Sequence, residues 1–197
     1  MQITKLEQIN QKKCRVYLND EPAFWLYYSE IAKYHIREGQ EFSPELSEEI
    51  YSAVLPKRAK LRCMNLLKLM DKTEAELTRR LRDEEYPEEI IQEALEYVKS
   101  FRYVDDLRYA KNYIESRKEV KSRQQIQFEL QGRGVSSELI ARAWEETEPV
   151  DTNAQILYWA EKKHFDIQTN DTKERQKFYS FLLRKGFLYS DIKKALT

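Results

Sequence analysis

Cations gathered in three short runs are the side chains of this sequence best placed to do chemistry, and the chemistry they offer is recognition of anions. The run KRAKLR sets Lys57, Arg58, Lys60 and Arg62 at the start of a helical pattern, where the helix dipole already presents positive charge. An external anion such as a phosphate would relieve that arrangement, and so would Glu45, Glu48 and Glu49 folding back from the preceding segment. A second group, Arg117, Lys118, Lys121 and Arg123, ends one helix and begins another, with Glu119 among them. Lys118 suits a helix C-terminus there, while the others can meet phosphate, an acidic partner or water. Arg79 and Arg80, with Arg82, make a third group diluted by Asp83, Glu84 and Glu85. The candidate partner-binding or nucleic-acid-binding residues are therefore Lys57, Arg58, Lys60, Arg62, Arg79, Arg80, Lys118, Lys121 and Arg123. Thirteen tyrosines and three tryptophans add possible stacking platforms for unpaired bases. Helical spacing, however, turns Tyr86, Tyr109, Tyr113 and Trp144 toward a core, and leaves Trp25, Tyr27 and Tyr28 open between a core and an exposed patch.

Catalytic chemistry finds little support. His35 and His164 stand alone, and Cys14 and Cys63 are too far apart for a zinc pattern, so neither a metal nor another cofactor is expected. There is no phosphate-binding glycine loop, dinucleotide motif or nucleophile elbow, and Gly132 and Gly134 lack the further glycine and the preceding strand. Asp105 and Asp106 are explained as a helix-capping pair. The reading is of a protein without enzymatic activity. Two isolated cysteines, no apolar run near the roughly 20 residues of a membrane span, and an N-terminus without a signal-peptide core place it in the cytoplasm, with no membrane partner.

Charge narrows the partners. With 34 basic and 34 acidic residues the chain carries no net charge, so any affinity for a polyanion rests on local patches. Basic and acidic residues number 6 and 9 through Pro56, 11 and 10 over 57–104, 8 and 9 over 105–149, and 9 and 6 thereafter, a gentle acidic-to-basic gradient.

These side chains need elements to hold them, and composition says which. Four glycines and five prolines in 197 residues leave few tight turns, while Glu, Lys, Leu, Arg and Gln are the residues that lose least on entering a helix. Residues 1–28 read differently: short apolar groups split by polar turns such as LNDEP predict a small hairpin or three-stranded sheet. A helix from about Glu30 to Glu38, closed by Gly39, and another starting at Ser43 with Pro44 in its first turn complete a head that ends at Pro56. Beyond it, laying the chain on itself at offsets of 49 and 52 residues aligns six columns: Leu77, Ile126, Phe178; Leu81, Leu130, Leu182; Tyr86, Val135, Phe187; Ile91, Ile140, Ile192; Ala94, Ala143, Ala195; and Leu95, Trp144, Leu196. The first two columns are four residues apart, as one helix face requires, and the last three, at i, i+3 and i+4, mark a following helix.

Between those helices lies a turn, where Gly134 and Gly186 suit a left-handed cap and Glu85 must end its helix some other way. Leading helices over about 57–70, 106–118 and 152–163 complete each unit. Thr73 with Glu76, and Asp171 with Glu174, read as capping boxes. The predicted fold is mainly α: three tandem three-helix modules, 57–104, 105–149 and 150–197, in an elongated array behind a β-containing head, 1–56. Three-helix units invite comparison with major-groove readers. The third helices of the first two modules argue against that, since Glu88, Glu89, Glu93 and Glu96 in the first and Glu138, Glu145 and Glu146 in the second would be repelled by DNA; only Lys193 and Lys194 in the last module would suit it.

The segments TEAELTRRL at 73–81, YPEEIIQEALEYV at 86–98, YVDDLRYAKNYIESR at 103–117 and FLLRKGFLYSDIKKAL at 181–196 carry a resemblance. With them the chain resembles the RecX family of regulatory proteins, bacterial modulators of the RecA recombinase, and the head from ITKLEQ to REGQEFS is similar to the extension of some members. It departs from the family's usual glycine at Glu85 and from a basic, glycine-containing connection near 119–125. The resemblance implies a non-enzymatic, monomeric protein. It would bind the RecA filament on single-stranded DNA, with contact to the DNA direct or through the filament, and limit its growth or activity. A generic helical-repeat scaffold for other proteins, or an autonomous DNA-binding protein, are the competing readings.

Overall fold

The computed structural model describes residues 1–196. It opens with strands β1 (Ile3–Gln8), β2 (Lys13–Leu18) and β3 (Glu21–Tyr27), an antiparallel sheet in the order β1-β2-β3. Cys14, Val16 and Leu18 alternate inward along β2, the period of a half-buried strand. Asn19 and Asp20 take φ of 50° and 70° between β2 and β3, the left-handed pair a two-residue hairpin needs. Pro22 is tolerated because β3 is an edge strand.

The helices are α1 (Tyr28–Lys33), α2 (Pro44–Glu48), α3 (Leu55–Leu67), α4 (Glu74–Asp83), α5 (Glu88–Ser100), α6 (Asp106–Arg117), α7 (Arg123–Gly132), α8 (Ser137–Glu145), α9 (Thr152–Lys162), α10 (Thr172–Arg184) and α11 (Tyr189–Ala195). Two expectations for the head need correction. The helix predicted to reach Glu38 stops at Lys33, because His35 turns left-handed at φ 51° and closes it one turn early. Pro56 breaks nothing: α2 runs through a π-helical turn, Glu49–Val54, directly into α3, with Pro56 inside it. A proline ring cannot donate to the carbonyl four residues back and collides with it, and the wider turn, in which the Leu55 N–H bonds to the Ile50 carbonyl, absorbs that mismatch.

All the repeat-column residues are buried except Trp144 and Ala195, which are half-buried. Their spacing has a backbone cause. Helices α1, α4, α5, α7, α9 and α10 end alike: the residue after the cap is left-handed, and the N–H of the next residue bonds to the carbonyl five positions back. In the three modules those bonds are Tyr86 to Leu81 at 3.2 Å, Val135 to Leu130 at 3.1 Å and Phe187 to Leu182 at 3.2 Å. The second and third repeat columns are thus the two apolar ends of one helix-terminating motif. Gly134 and Gly186 fill its left-handed position at φ 85° and 81°, and Glu85 adopts the same conformation at φ 60°. The first module therefore ends its helix as the others do, without the glycine.

Capping follows the sequence at Ser43, Thr73, Asp105 and Asp171. Thr73 and Glu76 form a reciprocal box, whereas Glu174 accepts instead from the Thr169 hydroxyl at 3.2 Å. In each module the first helix packs on the third, α3 on α5, α6 on α8 and α9 on α11. The chain divides into two compact units, Met1–Val104 and the part from Asp105 onward. In the first, sheet, head helices and α3–α5 share one continuous apolar core. In the second, α6–α8 and α9–α11 each enclose their own.

Candidate functional site

In the first unit the cations of KRAKLR are engaged by neighbouring residues. Arg58 lies against the ring of Trp25, 4.0 Å from its centroid, and donates to the Trp25 carbonyl at 2.7 Å and to Glu30 at 3.1 Å. Burial lowers its pKa from the ordinary arginine value, against the pull of Glu30, and its Nε is buried without a partner. Arg62 forks onto Glu84 with contacts of 2.6 to 3.0 Å, and Arg80 reaches the same carboxylate at 2.9 Å. Lys60 meets Glu93 at 2.6 Å. The head does supply a carboxylate to this helix, but it is Glu30 rather than Glu45, Glu48 or Glu49. Lys57 and Arg79 are exposed.

The same junction explains Glu85. Its carboxylate takes the Arg15 guanidinium, including a 2.9 Å bond from Nε, and the Trp25 indole donates to the neighbouring Glu84 carbonyl at 2.7 Å. Trp25 is thereby assigned to the core, while Tyr27 and Tyr28 are exposed.

In the second unit the cluster around 117–123 is a joint between helices. Lys118 is buried and pairs with Glu115 at 2.8 Å, and Lys121 holds Glu129 at 2.6 Å. Glu129 also accepts from Tyr113 Oη at 2.6 Å. Burial pushes the Glu129 pKa up, but bonds from Lys121, Tyr113 and Gln125 outweigh it and hold the carboxyl below its ordinary value. Arg117 and Arg123 are exposed, over the rings of Tyr113 and Trp144 respectively.

Donors from the third module take up the carbonyls of this loop. Gln155 Nε2 reaches the Lys118 carbonyl and, at 2.9 Å, that of Lys121, while Trp159 Nε1 bonds to Val120 at 3.0 Å. In return Ser122 Oγ donates to the Lys185 carbonyl at 2.6 Å. Gly186 sits so close that a Cβ there would lie 2.8 Å from Ser122 Oγ. Sequence reasoning missed this joint. Its one available signal was Gln155, a buried amide on the apolar side of α9 beside Ile156, since a buried amide must find hydrogen-bond partners.

Among the described residues no cluster of three or more His, Cys, Asp or Glu is arranged to hold a metal. No helix among them is long and apolar enough to cross a membrane. The surfaces described above can recognise charge and shape.

Comparison with known proteins follows the same division. Models of the first, second and third three-helix domains of RecX match residues 59–97, 105–143 and 151–196. A protein named regulatory protein RecX from Caldanaerobacter subterraneus subsp. tengcongensis is 30% identical over 198 residues, spanning 100% of this chain and 98% of the relative. Its namesake from Clostridioides difficile is 25% identical over 199 residues, with 98% and 93% spanned. A crystal structure of regulatory protein RecX matches with a TM-score of 0.61 at 22% identity, over 98% of both chains. The structure of RecX from Lactobacillus salivarius gives 0.61 at 20% identity, over 73% of this chain and 96% of that one. At those identities the two structures show a shared fold.

Proposed function

The chain belongs to the RecX family, and from that premise we propose that it regulates the RecA recombinase by binding its filament on single-stranded DNA and limiting its growth or activity. The observation that carries this reading is similarity running nearly end to end with proteins named regulatory protein RecX. On this reading the protein acts by contact rather than by catalysis, as a cytoplasmic monomer. Of the nine candidate basic residues, Lys57, Arg79 and Arg123 are exposed and face no carboxylate at ion-pair distance among the described residues. These three are the proposed electrostatic contacts to the partner. Arg58, Lys60, Arg62, Arg80, Lys118 and Lys121 would first have to leave the carboxylates that hold them.

The experiment is RecA ATP hydrolysis on single-stranded DNA at increasing concentrations of the purified chain, with co-sedimentation of the filament. The rate should fall as the chain enters the pellet. An unchanged rate with the chain left in the supernatant refutes the proposal.

A further inference from the structure

Five cations of the third module are placed unlike Arg58, Lys60 and Arg62 of the first unit, which stand on carboxylates. Lys162, Lys163, Lys177, Arg184 and Lys185 have no carboxylate within ion-pair distance among the described residues, and all but the half-buried Lys185 are exposed. They surround rings instead. Lys185 lies 4.5 Å from the Trp159 ring and 5.8 Å from that of Phe181, Lys162 is 5.2 Å from Trp159, and Lys163 is 5.2 Å from Phe181. Trp159 and Phe181 touch edge to face at 5.4 Å, Tyr158 meets Trp159 at 5.6 Å, and the row continues through Phe178 to Phe165. At one end it opens into a depression of about 350 Å³ lined by Lys163, Lys177, Arg184, Phe178 and Phe181, with Glu174 the carboxylate on its wall.

We propose that this strip is a direct binding site for single-stranded nucleic acid, its lysines and Arg184 tracking the phosphates while Tyr158, Trp159 and Phe181 offer faces to unpaired bases. Charge complementarity selects a polyanion, since the segment from Val150 on carries nine basic residues against six acidic. The rings select an unpaired strand, because stacking tolerates any sequence but needs a base free of its complement. Tyr158 is exposed and Trp159 and Phe181 are half-buried; ammonium groups resting on such rings are held weakly, so phosphates can draw them off and bases can take their place. The proposal rests on the recombinase reading only in the choice of DNA as ligand.

The test uses the full chain without recombinase: anisotropy of labelled oligo(dT) of about 16 nucleotides, between about 50 and about 200 mM salt. Binding should weaken with salt. The triple variant Lys163→Gln, Lys177→Gln, Arg184→Gln should flatten the slope of log affinity against log salt by about 2, which at about 0.1 M is roughly a hundredfold loss. Tyr158→Ala should lower affinity roughly tenfold at unchanged slope. Lys60→Gln should change nothing, and polyglutamate should compete poorly. Absence of binding at the lowest salt, or a triple variant with the original slope, overturns the proposal. Competition by polyglutamate equal to that of unlabelled oligo(dT) also overturns it and points to an acidic protein segment. Failure here leaves inhibition of ATP hydrolysis standing, whereas intact oligonucleotide binding with an unchanged hydrolysis rate removes the recombinase reading alone.

Discussion

Replacing Gly186 by alanine should damage the joint between the second and third modules by two separable routes. The first is backbone: at φ +81° a side chain costs about 1 to 2 kcal/mol. The second is contact, since the new Cβ would stand 2.8 Å from Ser122 Oγ. That oxygen donates to the Lys185 carbonyl at 2.6 Å and accepts from the Gln125 N–H at 3.2 Å as the cap of α7. Displacing it forfeits a hydrogen bond and weakens a cap, each worth about 1 kcal/mol, for a total of about 3 to 4 kcal/mol. Gly39→Ala is the control, because Gly39 has nearly the same φ, +79°, with nothing within 4 Å of an added Cβ, and should cost the backbone term alone. Urea denaturation followed by far-UV circular dichroism measures both. Ser122→Ala by itself should cost about 2 kcal/mol through the same cap and hydrogen bond. In the double variant the clash has no oxygen to strike, so the two losses should fall short of additivity by about 1 to 2 kcal/mol. A Gly186→Ala variant no less stable than Gly39→Ala, or strict additivity with Ser122→Ala, would refute the close packing of these two segments.

Two further outcomes test other contacts. Glu85→Gly and Glu85→Ala both lose the Arg15 pair, but only alanine keeps a side chain at φ 60°; glycine should be more stable by about 1 kcal/mol, and equal stability would mean that the helix end is not left-handed there. The second unit should weaken in acid because the Glu129 carboxyl is held below its ordinary value of 4.5. A depressed folded-state pKa adds stability above the unfolded value, and that stability is lost as pH falls through the folded one. Denaturation midpoints measured from pH 7 downward should therefore decline below about pH 4.5, and Glu129→Gln should make the decline shallower.

The sequence alone determined the repeat, because it is written by local physics. A helix face recurs every three or four residues, a helix end needs a left-handed residue flanked by two apolar ones, and caps are short polar side chains within three positions of what they bind. Hence the columns from Leu77 to Leu196, the sheet around the Asn19–Asp20 turn and the motif segments of the family were all legible before any coordinate. Glu85 was half-legible: the sequence showed that a glycine was missing, but the partners that accompany its left-handed backbone, Arg15 and Trp25, come from strands some 60 to 70 residues earlier.

Tertiary structure alone decided the fate of the cations. Arg58, Arg62 and Lys121 look much like Lys57, Arg79 and Arg123 in sequence, and only packing shows which of them stand beside a carboxylate. It also decided the joint at Gln155 and Ser122 and the bare cations around Trp159 and Phe181. A charge's effect depends on distance and burial, neither of which is encoded in the residues beside it. Periodicity is local and can be read along the chain, whereas electrostatic partnership is set by what folding brings near.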